Sequence, residues 1–226
     1  MKQPVVDYRS FRLRRINEPQ FSHLKLLAGW IIYFALYFLT ENLIPLEKCH
    51  VVHCWLDDVV PFCEVFVIPY TFWFFLVAGS LLYFALYNID SFRRLSIFIM
   101  ITQAVAMIVY ICWPSIQLLR PEVFPRQNIL TDMIGLLYTF DTNTGVCPSL
   151  HVAYSVGIAS TWLKKRDASA WMKLFIVISV VLIILSTMFI KQHSAVDAFA
   201  AIPVCLLAEW LVFRDWWKKK LKKSQA

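Results

Sequence analysis

Charge is what this chain has least of. Only 16% of its 226 residues are Asp, Glu, Lys or Arg, where a soluble domain carries about a quarter. Mean hydropathy is +0.61, so a lipid environment is expected and an ordinary soluble domain is excluded. Four stretches have no charged side chain at all: Val65 to Ile89, Leu95 to Leu119, Thr142 to Leu163 and Leu174 to Ile190. Each approaches or exceeds the ~20 residues a helix needs to span hydrocarbon. Alternation of polar and apolar residues is missing from these runs, which excludes barrel strands. Internal repeats and low-complexity linkers are also missing. The basic amino-terminal segment is followed by a run of full spanning length with no A-x-A-like cleavage site. The segment is therefore expected to be a retained anchor rather than a signal peptide.

Two further runs reach spanning length with polar ends: Leu26 to Ile44, which carries Glu41, and His193 to Phe213, which carries Asp197 and Glu209. The expectation is an all-α polytopic membrane protein with six transmembrane helices in a single membrane domain, 1–226. A basic arm (1–25) precedes the six-helix core (26–213), and a basic tail (214–226) follows it. Net charge is +7, and its distribution sets the orientation. With the first segment inside, 18 Lys and Arg residues fall on one side, and only Lys48, Arg120, Arg126 and Lys191 on the other. The positive-inside rule then makes both termini cytoplasmic. Basic residues beside a membrane meet anionic lipid headgroups, so no nucleic-acid partner is required. The oligomeric state is left open.

Three of the six cysteines, Cys49, Cys54 and Cys63, fall in the first outer loop, about Glu41 to Glu64. An oxidising compartment would permit a disulfide there, without the spacing assigning one. His50 and His53 lie between Cys49 and Cys54. A zinc site is conceivable there, but adjacent ligand pairs in an outward loop favour a disulfide, and no metal is assigned. The second outer loop, about Pro114 to Cys147, is the longest connection, and long loops are often functional. It carries Arg120-Pro121, Arg126 and Asp141.

Two polar islands interrupt the apolar pattern: Cys147-Pro148-Ser149-Leu150-His151 and Lys191-Gln192-His193-Ser194-Ala195-Val196-Asp197. On the charge-derived topology both open spans that run inward, so both sit at the outer interface. Pro148 suits the first turn of a helix. The free N–H groups of Ser149, Leu150 and His151 would then lie at a positive helix end able to hold phosphate. His151 could act there as general acid; the alternative is a plain helix cap with a histidine facing headgroups. His193 and Asp197 are spaced i, i+4 and share a helix face. The carboxylate can fix one imidazole nitrogen and leave the other as a nucleophile for phosphorus. The alternative is a polar pair packed on a neighbouring helix, although ionisable groups near a span are functional candidates by default. Arg120, Lys191 and Arg126 are the outer cations that could face phosphoryl oxygens; interfacial snorkelling is their other reading.

Pro148-Ser149-x-His151 and His193-x3-Asp197, with Arg120-Pro121 upstream, resemble the three motifs of the type-2 phosphatidic acid phosphatase/haloperoxidase superfamily. The likeness covers about Arg120 to Asp197. It implies a six-helix core with the site at its outer face, His193 as the nucleophile that becomes phosphohistidine, His151 as general acid and Asp197 as the orienting carboxylate. Arg120, Ser149, Lys191 and Arg126 are then expected to bind substrate. Three departures stand out. Trp113 occupies the position of the first motif's lysine, Leu150 that of the second motif's glycine, and Thr187 that of the third motif's arginine. The forms C-P-S-L-H-V-A and K-Q-H are more similar to the inositol phosphorylceramide synthase-like branch, which moves a phosphorylated headgroup to a lipid alcohol. The resemblance implies a metal-independent, cofactor-free lipid phosphatase or phosphotransferase in the plasma membrane, with a membrane lipid phosphate as substrate and the site on the extracytoplasmic face. Rival readings are an inactive lipid-binding or transport homologue, and a metalloprotein using His50, His53, His151 and His193.

Overall fold

The computed structural model of the protein describes residues 3–224, with side chains through Trp216. The architecture is mostly helical. Long rods α1 (Ala28–Leu43), α3 (Val67–Tyr87), α4 (Ile89–Cys112), α7 (Ala170–Phe189) and α8 (Ala195–Ser224) are joined by short helices α2 (Trp55–Val59) and α5 (Ile129–Phe140), and by α6 (Leu150–Lys164). Five helical segments are long and apolar enough to cross a membrane: Ser22–Leu43, Glu64–Tyr87, Ile89–Cys112, Ala170–Phe189 and Ala195–Trp216. The expected fourth span differs. Its helix α6 has 15 residues, or roughly 22 Å of rise, because residues 142–149 form a turn outside it.

Local chemistry sets the helix ends. Asn88 separates α3 from α4 and caps the latter, its side chain accepting from Ser91 N at 3.0 Å. Asp90 in the first turn pairs with Arg94 at 2.9 Å, an i, i+4 arrangement worth a few tenths of a kcal/mol when exposed. α7 ends in a Schellman motif: Lys191 N–H donates to Met188 O (3.0 Å) and Gln192 N–H to Thr187 O (3.0 Å). Lys191 holds the left-handed position (φ 55°) that glycine usually takes.

α4 is the central rod, packed against α1, α3, α6 and α8, while α7 covers α3 and α6. Leu95, Phe98, Ile99 and Ala106 on α4 are fully buried. Between helices in lipid, dispersion and close approach replace the drive to leave water. Buried Ala106, Ala153 and Ala208 serve that approach. Gly157 on α6 shows it most sharply, since a Cβ there would fall 2.6 Å from Phe98 Cδ1 and 2.9 Å from Cε1. Gly157→Ala gains some helix propensity, but overpacking costs about 1–3 kcal/mol. We expect a net loss of about 1–2 kcal/mol and a lowered melting temperature in micelles. A melting temperature at or above wild type would show that Phe98 yields freely.

At one end of the bundle the amino-terminal arm is folded onto α3. Tyr8 Oη donates to Ala85 O (2.7 Å) and meets His23 Nε2 (2.7 Å), and Val5 N–H donates to Leu86 O (2.8 Å). The Lys164–Glu209 pair also lies at this end. At the opposite end, β1 (His50–Val51) pairs in parallel with β2 (Ser115–Ile116). This clip ties the 44–66 connection to the 113–149 connection beside the turn that precedes α6. Cys49, Cys54 and Cys63 are free thiols. Cys54 instead caps α2, reciprocated by Asp57 on the Cys54 N–H.

Candidate active site

α5 lies within what the sequence presented as a loop. Asn128 starts it, its side chain accepting from Leu130 and Thr131 N–H at 2.9 and 3.1 Å. Its other end carries Asp141 as the C-cap residue. Arg120 grips that end. Nη1 donates to Tyr138 O (3.1 Å), Nη2 donates to Asp141 O and to Gln192 Oε1 (2.9 Å), and the guanidinium lies 4.2 Å from the Tyr138 ring centre. A cation at the carbonyl end of a helix is stabilising. Burial pulls the Arg120 pKa down, opposed by Tyr138 and Asp141. The Gln192 amide completes the clasp by donating to Asp141 O (2.8 Å) and Thr142 O (3.3 Å).

α6 begins at Leu150, two residues later than Pro148 suggested. Ser149 is the N-cap, its Oγ accepting from Val152 N–H at 3.4 Å. Its own N–H donates to Asp197 O (3.0 Å). Of the three amides expected to be free for phosphate, only those of Leu150 and His151 remain in the uncapped first turn. The turn before them is held by Ser115 Oγ, which accepts from Val146 and Cys147 N–H (3.2 and 3.1 Å), and by Tyr110 Oη donating to Pro148 O (2.8 Å).

The two polar islands meet. His193 Nδ1 lies 3.1 Å from Asp197 Oδ2, and His193 Nε2 lies 3.3 Å from His151 Nδ1. On the far side of His151, Nε2 is 3.9 Å from Asp141 Oδ2, which also accepts from Tyr70 Oη. The order Asp197–His193–His151–Asp141–Tyr70 therefore places a carboxylate beyond each imidazole. With Asp197 accepting the Nδ1 proton of His193, Nε2 keeps its lone pair and accepts from His151 Nδ1. A second proton on His151 Nε2 would face Asp141. Trp73 and Tyr70 lie against the His151 ring at 4.2 and 4.6 Å between centres and fix its orientation.

This chain opens on a cavity of about 520 Å³, within the range of small-molecule sites. His151, His193 and Asp141 lie together at one end. Trp30, Tyr33, Phe34 and Tyr37 of α1 form one wall, and Trp73, Phe74, Val77, Ala78 and Leu81 of α3 another.

Of the expected site residues, His151, His193 and Asp197 converge, with Ser149 beneath them. Arg120 is nearby but committed to carbonyls. Lys191 is turned away by its left-handed backbone, and its Nζ donates to Asp57 O (2.7 Å) and Val60 O (2.5 Å). Burial lowers its pKa against the pull of Asp57 and Asp58. Arg126 is 3.3 Å from Glu64 with a side chain 75% exposed, outside the cavity. Asp141, Tyr70, Gln192 and Asp57 were not singled out from the sequence as site residues. His50 stacks on Trp113 and His53 pairs with Asp58 (2.8 Å). Among the described residues no group of three or more His, Cys, Asp or Glu is placed to hold a metal ion.

The long apolar helices make this an integral membrane protein, mostly helical, with a paired-histidine cavity at one end of its bundle. No family model, no curated protein and no solved structure matches the chain.

Proposed function

We propose that the protein is a membrane enzyme that cleaves or exchanges a phosphoester of a lipid through a phosphohistidine on His193. The observation that carries this is the Asp197–His193–His151 chain at the polar end of an aromatic-lined cavity. In this reading the six apolar runs of the sequence are six crossings, and the charge distribution puts the termini in the cytoplasm and the site on the extracytoplasmic face of the plasma membrane.

In this mechanism the lipid's phosphoryl group displaces the His151–His193 hydrogen bond, since a 3.3 Å contact leaves no room for phosphorus between the rings. The His193 Nε2 lone pair forms the N–P bond as the P–O bond to the leaving group breaks. His151 gives its proton to the departing oxygen. Water or an alcohol then attacks phosphorus, returns a proton to His151 and breaks the N–P bond. Hydrolysis and transfer, including headgroup transfer like that of inositol phosphorylceramide synthases, share the first half and differ in the acceptor.

The test is to incubate the purified protein with lipids labelled at phosphorus, following free phosphate, new phospholipids and acid-labile, base-stable label on the protein. Label on histidine in wild type and its absence in His193→Ala is the expected result. Label retained by that variant would sink the assignment. A non-catalytic lipid-binding reading draws on the commitment of Arg120 and Lys191 to carbonyls. It is rejected by wild-type turnover that disappears in folded His151→Ala and His193→Ala.

A further inference from the structure

The charge around the cavity is unusual for a phosphate site. Among the described residues its lining includes two imidazoles and the carboxylate of Asp141, but no lysine or arginine. Two cations that the sequence offered for phosphate are occupied: Arg120 by Tyr138 O, Asp141 O and Gln192, Lys191 by Asp57 O and Val60 O. Carboxylates, in contrast, accumulate. Asp141 is 27% exposed at its side chain and lines the cavity, and Asp197 lies behind His193. Glu41 lies behind the wall, accepting from Thr144 Oγ1 at 2.6 Å, and Thr144 is itself a lining residue. A dianionic phosphomonoester entering here would meet like charge with no lysine or arginine among the described lining residues to offset it.

From these observations we infer that the site takes a zwitterionic phosphodiester lipid, whose cationic amine is received by Asp141 and the aromatic faces at the cavity's polar end, with Glu41 adding its charge from behind Thr144. This rests on the phosphohistidine reading and names the substrate class for it. A diester presents a single negative charge on phosphorus, which the first-turn amides of Leu150 and His151 can meet. An ammonium or trimethylammonium group beside it supplies the positive charge that the protein withholds. Tyr37 and Phe140 offer ring faces for such a cation. Phe140 is 79% exposed, so packing does not account for it, yet it borders the cavity. A separate observation points to a ligand at the same place. His151 Nε2 is buried, lies 3.9 Å from Asp141 Oδ2 and has no hydrogen-bond partner, and both residues line the cavity.

The test uses the full chain in nanodiscs and two probes with the same tail, an alkyl phosphocholine and an alkyl phosphate. The phosphocholine is expected to bind about tenfold tighter, the scale of a carboxylate-assisted cation–π contact. Glu41→Gln should reduce that ratio about threefold, and Asp141→Asn further, with melting temperatures verifying the fold. Equal or tighter binding of the alkyl phosphate overturns the inference, as does a ratio unchanged in a folded Glu41→Gln. Phosphohistidine that forms faster from the phosphomonoester overturns the headgroup and leaves the mechanism standing. A preserved phosphocholine preference without phosphohistidine from either lipid supports the headgroup and removes the mechanism.

Discussion

His193→Ala is expected to lower phosphoester turnover about 10⁴-fold or more, and Asp197→Asn about 10³- to 10⁴-fold. The first loss is the nucleophile itself. The second is larger than a missing hydrogen bond would suggest, because Asp197 determines which nitrogen of His193 carries the proton. Its Oδ2 lies 3.1 Å from Nδ1 and also accepts from Ser194 N–H at 3.0 Å. An amide can present its NH₂ to Nδ1, which would move the imidazole proton to Nε2 and remove the attacking lone pair. Residues acting as one unit do not add, so the double variant should be no slower than His193→Ala alone. His151→Ala has a different signature. It should cost about 10²- to 10⁴-fold for a lipid alkoxide leaving group and far less for a nitrophenyl ester, whose leaving oxygen needs no proton. Single-turnover rates with both substrates separate the roles. Equal losses on the two would take the general-acid role away from His151.

The helical rods and the meeting of the two islands were legible because each rests on a local pattern. Long charge-free runs leave few alternatives to a helix in lipid, and the i, i+4 spacing places His193 and Asp197 on one face wherever the helix lies. What was not legible depends on contacts between segments far apart in sequence. Arg120 reads as a phosphate ligand until Tyr138 and Asp141 carbonyls appear 18 and 21 residues later at the end of α5. Nothing near Lys191 announces its left-handed backbone, since the Schellman turn that imposes it carries no glycine. Asp141 looked like one acid in a long loop. Only the capped helix α5 and the Gln192 clasp bring it to His151. The start of α6 was misplaced by two residues for a local reason: Pro148 and Ser149 both favour helix starts, and the hydroxyl took the cap.

Asp57 had no sequence signal beyond a short acidic pair, yet its loss should affect both stability and the site. Only 4% exposed, its carboxylate crosses from α2 to the start of α8. It accepts from Ser194 Oγ (2.5 Å), Ala195 N–H (2.8 Å) and Cys54 N–H (2.9 Å). It therefore caps the helix that presents Asp197 and anchors the residue beside His193. Asp57→Ala leaves those donors unpaired and is expected to cost about 2–4 kcal/mol, with turnover falling as His193 loses its fixed approach. Acid should reproduce part of the effect. Burial pushes the Asp57 pKa up, but the bonds from Ser194, Ala195 and Cys54 outweigh it and hold the folded value below the ordinary one. A group depressed on folding stabilises fully above its unfolded pKa of ~4 and loses that contribution as pH falls through the lower folded value. The melting-temperature difference between wild type and Asp57→Asn should therefore be constant from about pH 7 to 5 and shrink below ~4. A difference that instead widens in acid would mean that the carboxyl is bound in its protonated form, and that the start of α8 is held by something other than this charge.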